Sequence, residues 1–158
     1  MEEKYILKTK RLILREFEEK DLDGFMIYRN NSDWMKFQNF KNLDKNAFRS
    51  KLLKPLNFDK GSQLVFSRKE DNSIIGDIFV MREGENVYLG YTINPEYSRR
   101  GFVSEIVIAT LSFLQDTYPG CKIVAETVPD NIASIKLLEK VGFIKSVSTS
   151  NELTYIFK

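Results

Sequence analysis

The residues with the clearest chemical potential in this sequence lie in one short turn. An apolar strand is predicted over residues 87–93, and an amphipathic helix is predicted to begin near Phe102. Arg99, Arg100 and Gly101 stand between them. A helix start exposes unpaired N–H groups and the positive end of the helix dipole, and a glycine lets a ligand approach the backbone closely. The turn therefore predicts a phosphate site, and an ordinary connection with two solvated arginines is the alternative.

A second helix start is expected beside this turn. In open α/β sheets a ligand lies off the carboxyl ends of parallel strands, next to the helix that follows. The strand predicted over residues 122–127 ends just before Asn131, where the next helix begins. Two helix starts and one basic turn then converge, which favours a diphosphate ligand. The fingerprints GxGxxG and GxxxxGK[ST] are both absent, which disfavours an ordinary dinucleotide or nucleoside triphosphate fold.

The elements that must position these residues follow from hydrophobic periodicity and turn signals. Alternation and hairpin turns predict strands over residues 11–17, 63–68, 73–81, 87–93, 122–127, 143–148 and 152–157. Helical spacing predicts helices over residues 21–30, from Asp44 to a point before Pro55, over residues 102–115 and from Asp130 to Gly142. A right-handed crossover between residues 87 and 127 makes its two strands parallel. The prediction is an α/β (α+β) chain with a central mixed sheet of about seven strands, flanked on both faces by four helices.

The last helix shows its boundaries in the sequence. Asp130 is predicted to cap its start, and Gly142 fits the left-handed position that ends it. Its predicted apolar face repeats at helical spacing and comprises Ile132, Ile135, Leu138 and Val141.

Composition limits the function further. The chain has 158 residues, 42% of them hydrophobic, with a formal net charge of +2. We expect one domain over residues 1–158, and near-neutral charge gives no argument for a nucleic-acid partner. The sequence has no histidine, which excludes histidine metal ligands and histidine-based triads, and we expect no metal. It has no apolar run long enough to span a bilayer, so a soluble cytoplasmic protein without a membrane partner is expected.

Three segments together resemble a known family. They are Thr9-Lys-Arg-Leu-Ile-Leu-Arg-Glu-Phe17, Leu89-Gly-Tyr-Thr-Ile-Asn-Pro-Glu-Tyr-Ser-Arg-Arg-Gly-Phe-Val-Ser-Glu105 and Asn131-Ile-Ala-Ser-Ile-Lys-Leu-Leu-Glu-Lys-Val-Gly-Phe143. In order and spacing the chain resembles the GNAT superfamily of acyl-CoA-dependent N-acetyltransferases. Within it, the chain is most similar to the ribosomal-protein N-terminal acetyltransferase (RimJ/RimL-like) branch.

The resemblance implies a GNAT-like fold in which the parallel strands 87–93 and 122–127 splay apart. It implies acetyl-CoA as co-substrate and direct transfer of the acetyl group to a primary amine, either a protein N-terminus or a small molecule. Residues 28–58 and the last hairpin would select that acceptor. A monomer or a homodimer is expected. A catalytically weak acyl-CoA-binding sensor on the same fold is the alternative, and a nucleic-acid module is disfavoured.

The same resemblance assigns residues to the cofactor. The contacts of the pyrophosphate turn would come from Ser98, Arg99, Arg100, Gly101, Phe102 and Val103. Ser98 replaces a longer polar residue of the family and Val103 a small one, so altered turn geometry is expected. The hydroxyl of Ser104 would bind a phosphate or cap the helix.

The pantetheine arm and the far phosphate have their own expected contacts. The main-chain groups of Tyr91 and Ile93 would hold the arm between the splayed strands. Asn131 would hydrogen-bond the arm or only fix the helix start. Lys140 would reach the 3′-phosphate, and a solvated helix lysine is the alternative.

Two residues are candidates for catalysis. Glu126, at the end of its strand, is the candidate base, and Asp77 is a weaker one; a surface role for Glu126 and a water base are the alternatives. Many members of the family use a tyrosine acid at the position of Leu138, so that acid is missing here. Ser134 would face the leaving sulfur, unless its hydroxyl only bonds within its own helix.

Overall fold

A computed structural model describes residues 5–38 and 40–158. The predicted domain, residues 1–158, includes residues 1–4 and 39, which lie outside the described residues. The strands are β1 (Leu7–Lys8), β2 (Leu12–Glu16), β3 (Ser62–Arg68), β4 (Ile74–Glu83), β5 (Asn86–Ile93), β6 (Lys122–Thr127), β7 (Ile144–Ser148) and β8 (Leu153–Phe157). The helices are α1 (Leu22–Arg29), α2 (Lys45–Leu52), α3 (Phe102–Thr117) and α4 (Ile132–Lys140). Short 3-10 turns cover Glu19–Asp21 and Pro95–Tyr97.

The described strands form one mixed sheet of eight, in the order β1-β2-β3-β4-β5-β6-β8-β7. Neighbouring strands are antiparallel except β5 and β6, which are parallel. The predicted mixed sheet and its parallel crossover are confirmed. The additional strand is β1, and two residues are too few to give an alternating pattern that could predict it.

The parallel pair parts after three residues. Pairing of β5 with β6 runs from Asn86 opposite Lys122 to Tyr88 opposite Val124 and then stops. On its other edge β5 pairs with β4 along its whole length, to Ile93. The carboxyl half of β5 therefore stays held by β4 while it separates from β6, which confirms the predicted splay.

Helices cover both faces of the sheet, as predicted. On β3, Leu64 and Phe66 join the core cluster that contains α3, whereas Val65 joins the cluster of α1 and α2. We call these two sides the α3 face and the α1 face. Tyr91 on the α3 face contacts Ser134, so α4 lies on that side too. Aromatic edge-to-face packing closes the α1 cluster, with Phe25 5.0–5.5 Å from its partners Phe17, Phe48 and Tyr28.

The start of α4 differs from the prediction in two details. Its N-cap is Asn131, not Asp130, since Asn131 Oδ1 accepts the Ser134 N–H at 3.3 Å. A capping side chain accepts a hydrogen bond from an N–H near the helix start that has no acceptor within the helix. Asn131 stands three residues before Ser134, which is the spacing that this bond requires. Ile132 is 55% exposed and lies outside the apolar face that was predicted to include it. Gly142 takes φ +108°, which confirms the left-handed end of the helix.

Candidate functional site

The parting of β5 and β6 opens a cleft of about 510 Å³. Leu89 and Tyr91 of the α3 face line it, and so do Gly90 and Thr92 of the α1 face. The cleft therefore extends to both faces of the sheet, and we call its end on the α1 face the α1-face opening. Its other lining residues come from α1, β3, β4, β6 and α4, and from the segments after α1, between β6 and α4, and before β8.

The turn before α3 has the backbone of an anion site. Gly101 is the N-cap residue with φ +78°, and Arg99 also takes a left-handed φ of +63°. The first hydrogen bond of α3 runs from the Glu105 N–H to the Gly101 carbonyl, at 3.1 Å. The N–H groups of Phe102, Val103 and Ser104 precede that bond and find no acceptor within the described helix. They point out of the helix start, where the dipole favours negative charge.

Side chains from the connection between β1 and β2 hold this turn in place. Glu105 accepts hydrogen bonds from Thr9 Oγ1 at 2.5 Å and Arg11 Nε at 2.7 Å. Arg11 Nη1 also donates to the Arg100 carbonyl at 3.1 Å. Burial opposes the charge of Glu105, but these hydrogen bonds outweigh it and lower the pKa of Glu105. The acidic residue thus anchors the helix start to the sheet.

The residues of the turn that were predicted to contact a diphosphate differ in where their side chains lie. The side chains of Arg99 and Arg100 are exposed. Ser98 donates its hydroxyl to the Pro95 carbonyl at 3.0 Å, so this hydroxyl supports the turn from within. Val103 packs against the main core while its N–H stays at the helix start.

The end of β5 carries main-chain groups that face the cleft. The Asn94 N–H donates to the Ile75 carbonyl at 2.8 Å, and because such bonds alternate along an antiparallel ladder, the N–H and C=O of Ile93 face away from β4. The same alternation turns the main chain of Tyr91 toward the cleft. Trp34 Nε1 donates to the Ile93 carbonyl at 2.7 Å. Trp34 lies within residues 28–58, the segment predicted to select the acceptor, and nothing in the sequence indicated this contact.

Two hydroxyl groups meet across the splay. Tyr91 Oη lies 2.8 Å from Ser134 Oγ, and both residues line the cleft. The Ser134 hydroxyl therefore forms a hydrogen bond with a residue outside its own helix. Asn131 also lines the cleft while its Oδ1 caps α4. Leu138, one turn further along α4, lines the cleft with an apolar side chain that is 0% exposed.

Carboxylates lie at the α1-face opening of the cleft. Glu126 near the end of β6 and Glu152 just before β8 both line it, and both are exposed. Partial burial, and secondarily the negative charge of Glu152, raises the pKa of Glu126. A carboxylate with a raised pKa is a better proton acceptor than an ordinary glutamate.

Asp77 has a different environment. Its side chain is 0% exposed and accepts hydrogen bonds from Tyr28 Oη, from Arg29 Nη2 at 2.5 Å and from Gln63 Nε2 at 2.5 Å. Burial raises the pKa of Tyr28 well above its usual value, so Tyr28 stays a donor. Arg29 and Gln63 line the cleft, and they cover the carboxylate beneath them. The weaker base candidate is thus a buried structural group.

Lys140, the predicted contact of the 3′-phosphate, lies away from the cleft. It is exposed in the last turn of α4 and does not line the cleft.

The aromatic residues of the predicted acceptor segment, residues 28–58, divide between the cleft and the core. Phe37 and Phe40 line the cleft. Phe48 instead fills the core beneath α2, and Phe58 packs 6.5 Å from Phe113 on the α3 face.

The described residues hold neither a metal-ligand cluster nor a membrane-spanning helix. In residues 5–38 and 40–158, no group of three or more acidic or cysteine side chains is placed to hold a metal ion. Among the same residues, every helix is too short or too polar to cross a membrane.

Known proteins are similar to this chain in sequence and in architecture. A family model described as "Acetyltransferase (GNAT) domain" matches residues 11–144. The uncharacterized N-acetyltransferase YnaD of Bacillus subtilis (strain 168) is 32% identical, over 92% of this chain and 90% of that protein. A GNAT-family acetyltransferase structure from Bacillus anthracis superposes with a TM-score of 0.83, at 25% identity, over 95% of this chain and 96% of that one.

A second structure has the same fold at low identity. It is RimL, a ribosomal L7/L12 alpha-N-protein acetyltransferase in complex with coenzyme A. Its TM-score is 0.81 at 13% identity, over 98% of this chain and 97% of that one. Structures of this fold are thus known with coenzyme A bound.

Proposed function

The chain belongs to the GNAT acetyltransferase family, and from this premise we propose that it transfers the acetyl group of acetyl-CoA to a primary amine. The family and the relative YnaD support N-acetyltransferase activity in general. The more specific parts of the proposal are acetyl-CoA as the donor, an amine as the acceptor and membership of the RimJ/RimL-like branch.

One observation carries the proposal: the cleft extends to both faces of the sheet where β5 leaves β6. A thioester can lie along the α3 face, next to the starts of α3 and α4. An amine can enter from the α1 face. The two substrates would then meet at the end of β5 without sharing an entrance.

The residues of the α3 face fit coenzyme A. The N–H groups of Phe102, Val103 and Ser104, with Arg99 and Arg100 beside them, suit a diphosphate. The main chains of Tyr91 and Ile93 suit the amides of a pantetheine arm, since the splay leaves them without a β6 partner. Asn131 lies beside this path. When bound, acetyl-CoA supplies an activated acyl group as a thioester.

The residues around the cleft then have separate tasks. Glu126 takes a proton from the incoming ammonium group, and its raised pKa brings it closer to that of the amine. The N–H of Ile93 donates toward the oxygen on which negative charge develops. Ser134 donates toward the sulfur. Most of the acceleration comes from positioning, because little covalent chemistry falls to the protein.

The α1-face opening favours a cationic acceptor. Glu126 and Glu152 bring two carboxylates to it, and Phe37 and Phe40 provide aromatic rings that attract ammonium groups. Arg29 also lines this opening, but the charge of Asp77 balances it. A peptide N-terminus and a small-molecule amine both fit this description.

Calorimetry with coenzyme A tests the binding half of the proposal. We expect binding by the wild-type protein and about ten- to a hundredfold weaker binding by Arg99→Ala, as the loss of one charged contact implies. Lys60→Ala, an exposed cation in the loop before β3, is the matched control and should bind like wild type. No heat from wild-type protein at millimolar coenzyme A would overturn the proposal.

Thiol release from acetyl-CoA tests the catalytic half. We expect one or more amines in a panel of peptide N-termini, polyamines and small amines to speed thiol release by the wild-type protein. Binding of coenzyme A without any amine-dependent release would instead favour the acyl-CoA sensor.

A further inference from the structure

The hydroxyl of Tyr91 has no task in the mechanism above, which uses only its main chain. It lies 2.8 Å from Ser134 Oγ and 3.4 Å from the Ser134 carbonyl oxygen. Tyr91 stands on β5 beyond its last pair with β6, and Ser134 stands in the first turn of α4. The contact therefore joins the two sides of the splay inside the cleft.

Acidity decides which oxygen of this pair donates. A phenol is far more acidic than an aliphatic alcohol and is the stronger hydrogen-bond donor. Burial raises the pKa of Tyr91 to about 12, although the hydrogen bond with Ser134 opposes the rise, so the phenol keeps its proton at neutral pH. Acidity and the shorter distance favour Tyr91 as the donor and Ser134 Oγ as the acceptor. In that arrangement the Ser134 hydroxyl proton points elsewhere.

The surroundings of Ser134 limit where that proton can point. Asn131 holds the Ser134 N–H at 3.3 Å, which fixes the first turn of α4. Leu138, one turn along, presents only carbon to the cleft. Because Tyr91 occupies one side of Ser134 Oγ and Ser134 lines the cleft, the Ser134 O–H can point into the cleft.

On the basis of the proposed acetyl transfer, we propose that Tyr91 is a positioning residue: its hydroxyl donates to Ser134 Oγ and turns the Ser134 O–H toward the leaving sulfur. As the amine nitrogen bonds to the acyl carbon, the carbon–sulfur bond breaks and its electron pair goes to sulfur. The nitrogen loses two protons in all, one to Glu126 and one that ends on the thiol. Ser134 keeps its own proton and stabilises the thiolate by a hydrogen bond.

The pKa of the thiol of bound coenzyme A tests this role without any acceptor. It is measured from thiolate absorbance in a pH titration of the complex. We expect a value below about 8.5, the usual value for such a thiol. Ser134→Ala should raise it by roughly one unit, the size of one hydrogen bond to a charged group. Tyr91→Phe should raise it by a smaller amount in the same direction.

The double variant separates positioning from a direct contact. If Tyr91 acts through Ser134, then Tyr91→Phe should add nothing in the Ser134→Ala background. Additive shifts, or an unchanged thiol pKa in Tyr91→Phe, would overturn the inference. Tyr155→Phe removes a buried hydroxyl that bonds Glu139 outside the cleft and is the matched control. The other titratable groups lining the cleft, Arg29, Glu126 and Glu152, are the same in every variant.

Binding controls keep this test distinct from the proposed function. Coenzyme A affinity at neutral pH should change less than twofold in Tyr91→Phe, because the thiol is protonated there. An analogue of coenzyme A without sulfur should show no difference between the variants at any pH. If coenzyme A does not bind, the proposed function fails; if it binds with an ordinary thiol pKa, only the role of Tyr91 and Ser134 fails.

Discussion

Two carboxylates lie on the same face of the sheet, on opposite sides of the cleft, and their surroundings differ. Asp77 on β4 is fully buried and takes hydrogen bonds from Tyr28, Arg29 and Gln63. Glu126 on β6 is exposed, faces Glu152 and has a raised pKa. Both residues have the chemistry of a base, but only Glu126 can be reached by a substrate.

The difference follows from the interrupted ladder between β5 and β6. The β4 side belongs to a continuous antiparallel sheet covered by α1, where a charge must be paired to be tolerated. Beyond Val124, β6 no longer pairs with β5, and its Glu126 is exposed. Under the proposed function, the β4 side of the cleft provides rigidity and the β6 side provides the base.

The largest expected effect is on stability. Asp77→Ala leaves the buried Arg29 without its counter-ion, and we expect the free energy of unfolding to fall by about 3–5 kcal/mol. Glu126→Ala should change it by less than about 0.5 kcal/mol, as for most surface substitutions. Denaturant unfolding of both variants measures the difference. The double variant Arg29→Met/Asp77→Leu removes both charges and should recover most of the loss, and equal stability of Asp77→Ala and Glu126→Ala would contradict the division between the two sides.

The next effect is on turnover. Glu126→Gln should lower kcat roughly a hundredfold, the lower end of what a general base contributes, because water can accept the proton in its place. Its coenzyme A affinity should not change, since Glu126 lies at the α1-face opening. Steady-state thiol release gives the comparison, with Glu83→Gln at the exposed end of β4 as control. Wild-type turnover in Glu126→Gln would assign the base role to water.

The smallest expected effect is a shift with pH. With Glu126 as the proposed base, activity should fall as the pH drops through the pKa of Glu126, which lies above the usual 4.5. Glu152→Gln removes a negative neighbour and makes Glu126 easier to ionise. The acid limb of kcat/KM should therefore move to lower pH by roughly half a unit, the effect of one charge through partly solvated space. A shift to higher pH would show that Glu152 does not act on Glu126 by its charge.

Much of the fold could be predicted from local patterns. The three-strand meander, the crossover helix and the left-handed Gly142 all came from hydrophobic periodicity and turn residues. The strands lie within about two residues of their predicted ends, as for β4, which was predicted over residues 73–81 and runs from Ile74 to Glu83. The cap of α4 was misplaced by one residue because Asp130 and Asn131 are equally good caps in sequence.

The backbone features of the candidate site were easier to predict than its side-chain contacts, and the roles of its residues stay predictions. Gly101 and the end of β5 are marked by local signals, a turn glycine and a strand end. The partners of the Asp77 carboxylate and the Ser134 hydroxyl lie 14 to 49 residues away along the chain. Such contacts depend on register between distant strands and helices, which periodicity does not fix.

The contact between Trp34 and the Ile93 carbonyl has an optical consequence. This residue is the sole tryptophan of the chain, and its side chain is 39% exposed at the edge of the cleft. A ligand that displaces the indole from the Ile93 carbonyl would release it to solvent, and an indole in water emits at longer wavelength. Tryptophan emission can therefore report on ligands that bind at this edge of the cleft, and no added dye is needed.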